Sequence, residues 1–323
     1  MATADQIKSL IKSHYSEDKE RFPTIALQLA ASEARKGHSS LAHEIKTLIE
    51  KGRKSSSHLK VIPHNPDLSG LVQPFEADKK LVQLIASPEL KQRIDRIIRE
   101  YLQRGKLSKF GFSHRRKILL TGPPGTGKTM TASILSKELK IPFYVILVDK
   151  IVTKYMGETS AKLRLIFDFI SKNTGVYLFD EFDAIGAERT RDNEVGEMRR
   201  VLNAFLQFLE QDQSNSFIIS ATNNIELLDQ ALFRRFDDVL FYQLPGKDEV
   251  INLVKNKLAN FKTGFDISSL PFDKFNGLSH AEISQACDDA IKETILNDKT
   301  KVTKALLLEM ISNRKGVYFS DRS

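Results

Sequence analysis

Short apolar runs alternate with amphipathic stretches through the central part of the chain. The apolar runs are rich in Ile, Leu, Val and Phe, which is typical of strands buried on both faces of a sheet. We predict strands at residues 117–121, 142–148, 176–179, 217–222 and 239–244, and helices at 128–139, 158–171, 195–210 and 227–235. This order predicts an α/β fold in which helices flank a parallel sheet.

The N-terminal part of the chain has only the apolar spacing of helices, which predicts a small helical module over residues 1–54. Three apolar stripes predict its helices: Ile7, Leu10 and Ile11; Phe22, Ile25, Ala26 and Leu29; and Leu41, Ile45, Leu48 and Ile49. Gly37 is a candidate end for the second helix, and Ser39 or Ser40 a candidate start for the third. The module is either a helical spacer or a binding module for a substrate or partner.

The limits of the remaining segments follow changes in composition and periodicity. We predict a linker over 55–86, an α/β subdomain over 87–246, an all-helical subdomain over 247–316 and a tail over 317–323. The linker is rich in Pro and Ser, although its apolar residues favour packing along the next domain. Ser87 and Pro88 have the pattern of a helix start. Ser279 and Glu282 form a predicted capping box within the all-helical subdomain.

The composition is that of an ordinary globular protein. Among 323 residues, 41% are hydrophobic and 28% are charged. The single cysteine excludes an internal disulfide framework, and no apolar run reaches the length of a membrane span or a signal-peptide core. We therefore expect a cytoplasmic location. The net charge of +8 is spread among acidic residues, which favours a mixed-charge surface over a nucleic-acid-binding face.

The segment GPPGTGKT, which begins at Gly122, matches the pattern G-x-x-x-x-G-K-[ST] between a predicted strand and a predicted helix. Its glycines allow the backbone N–H groups to surround a polyphosphate. Lys128 can bind the β- and γ-phosphates, and Thr129 can bind Mg²⁺. We expect the segment and the next residue to hold the nucleotide: Gly122, Pro123, Pro124, Gly125, Thr126, Gly127, Lys128, Thr129 and Met130.

Polar residues at later strand ends complete a candidate catalytic site. Asp180 and Glu181 follow the apolar run VYLF, and we expect Asp180 to hold Mg²⁺ and Glu181 to orient the attacking water. Asn223 follows the next strand and is a candidate for positioning that water. Arg234 and Arg235 are candidates for stabilising charge on the transferred phosphoryl group, together with Lys128.

In this order, the motifs GPPGTGKT, LFDEFD, SATNN and ALFRRFD resemble those of the AAA ATPases of the AAA+ superfamily. The resemblance covers roughly residues 85–312. It implies a P-loop NTPase fold with a C-terminal helical lid, the use of ATP with Mg²⁺, and a homo-oligomeric ring, usually a hexamer. In such rings arginines reach the ATP of the neighbouring subunit. The family separates the two arginines by Pro-Gly, whereas Arg234 and Arg235 are adjacent, so which of them acts is open.

Two further segments are assigned by the resemblance. KYMGE is similar to the aromatic-glycine pore loop of spastin and katanin, which implies that Lys154, Tyr155 and Met156 grip an extended polypeptide. From composition alone Tyr155 could equally pack on its own domain.

GLSHAEI is similar to the family segment GFSGADL, in which Gly277 and Ala281 lie against the ribose and adenine. His280 replaces a common glycine, and it either modifies that contact or only begins the lid helix.

The motifs together predict an ATPase that remodels, unfolds or threads a protein substrate. The sequence has no His-Glu-x-x-His motif, so a separate protease or other effector is an expected partner, as in bacterial AAA ATPases that work beside a subtilisin-like protease. The alternative is an AAA+ ATPase that acts on nucleic acid, as clamp loaders and initiator proteins do. The net positive charge favours this alternative, and the lack of a DNA-reading motif disfavours it. A nucleotide-controlled switch is a third hypothesis, which Glu181 disfavours.

Overall fold

The computed structural model describes residues 21–35, 37–56, 68, 70–151, 156–182, 194–224 and 233–319. The chain divides into two compact units, Met1–Val61 and Ile62–Ser323. The first predicted apolar stripe, near residue 10, lies outside the described residues. Among the described residues, no helix combines the length and hydrophobicity that crossing a bilayer requires.

The first unit contains two helices joined by a glycine turn: α1 (Arg21–Arg35) and α2 (Ser39–Ser56). Gly37 has a φ of 88°. The Gly37 N–H donates to the Ala34 carbonyl over 3.1 Å, and the His38 N–H donates to the Glu33 carbonyl over 3.0 Å. This pair of bonds is the Schellman arrangement that ends a helix. The predicted helix end at Gly37 is therefore confirmed, and α2 begins at Ser39, one of the two serines predicted as its cap.

The second unit is built on a six-stranded sheet in which one edge strand is antiparallel. Its strands are β1 (Val72–Phe75), β2 (Lys117–Thr121), β3 (Phe143–Ile146), β4 (Val176–Phe179), β5 (Phe217–Thr222) and β6 (Asp238–Phe241). Their order is β1-β3-β4-β5-β2-β6, and the five strands from β2 to β6 pair in parallel. The predicted α/β fold with a mostly parallel sheet is confirmed. The predicted strands at 142–148 and 239–244 are longer than the observed β3 and β6.

The sequence did not predict β1, which lies in the segment assigned as a linker. Leu147 N–H donates to the Leu71 carbonyl over 2.9 Å, and Val72 pairs with Ile146. Because hydrogen-bonded and non-hydrogen-bonded pairs alternate in antiparallel strands, Pro74 occupies a position whose N–H would face away from β3. Proline is therefore compatible with this edge strand. Four residues that include a proline are too weak a pattern to predict a strand.

Helices cover both faces of the sheet. Alternate residues of its strands accordingly pack in two different hydrophobic clusters. Leu119 of β2 packs with one cluster, and Ile118 and Leu120 pack with the other. The helices are α3 (Pro88–Leu102), α4 (Arg104–Lys109), α5 (Lys128–Leu139), α6 (Val148–Ile151), α7 (Met156–Lys172) and α8 (Glu194–Gln211). The bounds of α5 are those predicted, whereas most of the helix predicted at 227–235 lies outside the described residues.

Three helices form the C-terminal part of the same unit: α9 (Lys247–Leu258), α10 (His280–Leu296) and α11 (Lys304–Phe319). The capping box at the start of α10 is present. Ser279 N–H donates to Glu282 Oε2 over 2.6 Å, and Glu282 N–H donates to Ser279 Oγ over 3.4 Å. Their shared core includes Ile283 and Cys287, which are fully buried. This packed helical group is called the lid below.

Candidate active site

A cavity of about 470 Å³ lies where β2, β4 and β5 end. This is the edge at which parallel α/β sheets bind ligands, and the volume suits a nucleotide. The cavity is lined by residues 124–130, which include most of the phosphate-binding loop (residues 122–129), by the residues after β4 and β5, by the segment 83–85 and by parts of α9 and α10. The predicted nucleotide-binding residues Gly122 and Pro123 do not line it. The sheet order puts β5 between β2 and β4, so the three polar strand ends become neighbours.

Two glycines of the phosphate-binding loop are required by close contacts. Gly122 has a φ of 143°, and a Cβ there would lie 2.2 Å from the Tyr242 carbonyl oxygen. Gly125 has a φ of 71°, and its Cβ would lie 2.6 Å from Ser279 Oγ of the lid. Any larger residue would move the loop away from β6 or from the lid. Gly122 and Gly125 are therefore needed where the loop contacts the residue after β6 and the lid.

Lys128 is held inside the phosphate-binding loop, with only 7% of its surface exposed. Its Nζ donates to the Gly122 and Pro123 carbonyl oxygens over 2.7 and 2.8 Å. Thr126 Oγ1 donates to the same Pro123 carbonyl over 2.7 Å, which stabilises the turn. The ammonium group is thus positioned at the loop, where it can exchange a carbonyl for a phosphate oxygen.

The acidic end of β4 lies against the start of α5. Thr129 Oγ1 donates to Asp180 Oδ2 over 2.7 Å, and Glu181 N–H donates to Asp180 Oδ1 over 3.0 Å. Glu181 is exposed and has a φ of 51°, an uncommon conformation for a residue with a Cβ. A hydroxyl and a carboxylate are the hard oxygen ligands that Mg²⁺ prefers, so this donor set fits that ion.

Asn223 is the first residue after β5 and lines the same cavity. The turn that follows is closed by Asn224 N–H, which donates to Thr222 Oγ1 over 3.0 Å. Asn223 is exposed and lines the same cavity as Asp180 and Glu181. Its role in positioning the water stays a prediction.

The two adjacent arginines have different surroundings, and neither lines this chain's own cavity. Arg235 Nε lies 3.1 Å from Glu210 Oε1 at the end of α8. Arg234 is exposed and makes no ion pair with any residue that the structure describes. The next residue, Phe236, is buried in the hydrophobic core. The core contact and the Glu210 ion pair anchor Arg235, whereas the Arg234 guanidinium projects from the surface.

The lid contributes a second wall that contacts the phosphate-binding loop directly. Ala281 N–H donates to the Gly125 carbonyl over 3.0 Å. Ala281 and His280 line the cavity, whereas Gly277 does not. Gly277 has a φ of 86° in the turn before α10, with open space where a Cβ would be. The structure therefore assigns Gly277 to the turn and brings only Ala281 of that predicted pair to the cavity.

Sequence reasoning missed the apolar residues of the cavity. Leu84, Ile85 and Leu253 line it. Leu84 is 1% exposed, and Ile85 packs against the lid core. The apolar letters of LVQLI within the linker were the only available signal. Apolar residues in a cavity that also contains the phosphate-binding loop suit the flat face of a nucleotide base.

The predicted pore-loop residues are not tested by the structure. Lys154 and Tyr155 lie outside the described residues, and Met156 begins α7 with a side chain that also lies outside them. Their role stays a prediction.

Comparison with known proteins identifies the family. Residues 118–244 match the model of the ATPase family associated with various cellular activities (AAA). An uncharacterized AAA family ATPase of Sinorhizobium fredii, y4kL, is 32% identical over 307 residues, which are 94% of this chain and 92% of that protein. The chain belongs to the AAA ATPase family. This AAA ATPase is therefore an enzyme that hydrolyses ATP, with Mg²⁺ as the accompanying metal, and the predicted family, activity and cofactors are confirmed.

Other relatives share part of their length with this AAA ATPase. The ATP-dependent zinc metalloprotease FtsH of Karelsulcia muelleri is 30% identical, and the match covers 77% of this chain and 39% of FtsH. The proteasome-activating nucleotidase of Methanoregula boonei is 30% identical over 75% of this chain and 60% of that protein. The crystal structure of the FIGL-1 AAA domain with ADP has a TM-score of 0.61 and 20% identity, and covers 78% of this chain and 91% of that domain. The last similarity supports the fold.

Proposed function

We propose that this AAA ATPase forms a hexameric ring in the cytoplasm and uses ATP hydrolysis to remodel, unfold or thread a protein substrate. The observation that carries the ring is the exposed Arg234, which lies outside its own cavity and has no ion-pair partner among the described residues. The remodelling activity is supported by two relatives whose names combine a nucleotide-dependent activity with proteolysis. They are the ATP-dependent zinc metalloprotease FtsH and the proteasome-activating nucleotidase.

In the hydrolytic step, a water oxygen forms a bond to the γ-phosphorus while the β–γ bridging bond breaks, which releases ADP and phosphate. Glu181 orients the water and receives its proton. Lys128 offsets negative charge on the β- and γ-phosphates, and Asn223 holds the water on the side opposite the leaving group. Thr129 and Asp180 would hold Mg²⁺, which supplies further neutralisation of the phosphate oxygens.

Arg234 is the arginine that reaches the neighbouring site in this proposal. Arg235 is restrained by Glu210, whereas Arg234 has no such contact among the described residues. A guanidinium supplied by a neighbouring subunit stabilises charge in the transition state. Such a contact is head-to-tail, since one cavity meets the next subunit's arginine, and a head-to-tail interface whose rotation closes gives a ring.

A mixing experiment tests this assignment. Arg234→Ala subunits keep an intact cavity, and Lys128→Ala subunits keep Arg234, so each preparation alone should hydrolyse ATP slowly. In an equimolar mixture about a quarter of the interfaces combine the two intact halves, and activity should return in that proportion. No recovery after mixing contradicts the shared site. Arg235→Ala, mixed in the same way, is the matched comparison.

Protein threading is tested with the predicted pore loop. Substrates are trapped on the Glu181→Gln protein with ATP and identified, and the same trap is repeated with Tyr155→Ala. The expected result is loss of the captured proteins with Ala and their retention with Tyr155→Phe, which keeps the aromatic ring. Equal capture by all three proteins removes the pore role. Copurification of a protease with the trapped substrate supports a separate protease partner.

A nucleic-acid substrate is the second candidate, and one surface feature favours it. Phe110 and Phe112 are 79% and 69% exposed, beside the exposed cations Arg104, Lys106 and Lys109. Aromatic rings among cations suit stacking on single-stranded nucleic acid. Affinity for single-stranded DNA should then fall steeply with salt and fall further in Lys106→Glu than in Lys299→Glu, an exposed lid control. Weak binding that both variants leave unchanged excludes this candidate.

A further inference from the structure

His280 stands between two cavities. It is the first residue of α10, and its side of the lid lines both the nucleotide cavity and a second cavity of about 660 Å³. The N-terminal turns of α3 and α9 bound the second cavity, and Thr126 of the phosphate-binding loop lines both spaces. His280 therefore lies at the boundary between the two cavities.

Both ring nitrogens of His280 are buried and have no hydrogen-bond partner in the part of the chain that the structure describes. Burial lowers the pKa of the imidazole, and the charge of Glu249 opposes this effect. The neutral ring has one donor and one acceptor nitrogen. Buried polar atoms without partners are unusual in proteins, so this ring calls for a group that the described chain does not supply.

The backbone holds His280 at a defined level of the nucleotide cavity. Ser279 caps α10 beside Gly125, and Ala281 N–H is bonded to the Gly125 carbonyl over 3.0 Å. Thr129, Asp180, the apolar residues Leu84 and Ile85, and His280 all line one cavity. With the phosphates of a nucleotide at Thr129 and its base against the apolar residues, the sugar joins the two, and Gly125 and His280 line the same cavity.

We propose that His280 recognises the ribose of the bound nucleotide through a hydrogen bond to a ribose hydroxyl. A hydroxyl both donates and accepts, so it can pair with either nitrogen of the neutral ring. The Cβ–Cγ torsion of histidine has broad minima, so the ring can turn to present a nitrogen to the cavity. The inference rests on the proposed function, which places the phosphates at Lys128 and Thr129. It means that a lid residue distinguishes nucleotides by their sugar.

The test compares ADP with 2′-deoxyADP and 3′-deoxyADP by calorimetry, because none of these ligands is consumed. The protein with His280 should bind ADP about 5–20-fold more tightly than the analogue that lacks the bonded hydroxyl. His280→Phe keeps a flat ring without nitrogens, and its preference should fall to about one. His280→Asn restores a donor and an acceptor and should recover part of the preference.

The ratio of affinities separates recognition from support of the fold. A structural role for the ring would weaken all three ligands equally in His280→Phe and leave the ratio unchanged, and that result overturns the inference. A ratio near one for both analogues in the unaltered protein overturns it as well. Retained ADP binding in Lys128→Ala would instead contradict the proposed function. The phosphates would then not be held at Lys128, and this cavity would not be the nucleotide site.

Discussion

The two walls of the nucleotide cavity differ in origin and in chemistry. The phosphate end consists of the loop after β2 and the residues that follow β4 and β5, all carried by one parallel sheet. The lid end consists of the segment 83–85 and residues of α9 and α10, which are far apart in the chain. The predicted reacting groups are thus carried by neighbouring strands of one sheet, whereas the other wall is assembled from segments that meet only in the tertiary structure.

The contacts within each wall support this distinction. Thr129, Asp180 and Glu181 are joined by consecutive hydrogen bonds, and Lys128 is bonded twice within its own loop. Across the two walls, a backbone bond joins Ala281 to Gly125. Few contacts of this kind are needed to hold a lid, and few need to break for it to move. Hydrolysis at the first wall can therefore change the position of the second.

Removing the catalytic carboxylate should have the largest effect and should be confined to the phosphate end. We expect Glu181→Gln to lower kcat for ATP hydrolysis by about 100-fold or more, because the water loses its base. ADP affinity should change less than about twofold, since the exposed carboxylate does not hold the nucleoside. Steady-state kinetics and calorimetry measure the two quantities. Glu309→Gln, at an exposed lid position, is the control and should match the unaltered protein.

A methyl group added at Gly125, where the phosphate end meets the lid end, should disturb both ends of the cavity. Gly125→Ala introduces a Cβ 2.6 Å from Ser279 Oγ, so the lid must move away from the loop. We expect ADP affinity to fall by about tenfold or more, since both walls lose their spacing. Gly111→Ala has a similar φ of 79° and open space around its Cβ, so it isolates the backbone strain of about 1–2 kcal/mol. Equal ADP affinity in the two variants would mean that the walls are not coupled here.

Shortening one apolar side chain should weaken only nucleoside binding. Ile85 lines the cavity and packs on the lid core, and Ile85→Ala should lower ADP affinity by about fivefold, or about 1 kcal/mol. Binding of inorganic pyrophosphate, which has no base, should not change. Val82→Ala, three residues earlier in the same segment and 82% exposed, serves as the matched variant. A parallel loss of pyrophosphate affinity would assign Ile85 to the stability of the loop instead.

The smallest expected effect is a dependence on pH at the lid end. Burial holds the pKa of His280 below its ordinary value of 6.5. The unfolded chain then binds more protons than the folded one below about pH 6.5, so the free energy of unfolding should fall as the pH is lowered. We expect His280→Phe to reduce this fall between pH 7.5 and 5.5 by less than about 1 kcal/mol. The same substitution at His114, whose pKa is also lowered by burial, is the comparison in the α/β part of the unit.

The phosphate end could be predicted almost completely, because its signals are local. A strand, a glycine loop and a helix are consecutive in the sequence, and the α5 bounds were predicted without error. Asp180 and Asn223 were found because residues after parallel strands meet at one edge. The site roles assigned to these residues stay predictions until the variants are measured.

The sequence alone therefore determined the family and the parallel strands of the sheet, and it predicted the reacting groups, since each depends on short-range patterns of turn, strand and helix. Only the tertiary structure decided which apolar residues line the cavity. Leu84 and Leu253 are separated by 169 positions and carry no shared periodicity, so their meeting depends on how the lid packs on the sheet. The same packing kept Gly277 out of the cavity wall and left both ring nitrogens of His280 without a hydrogen-bond partner among the described residues.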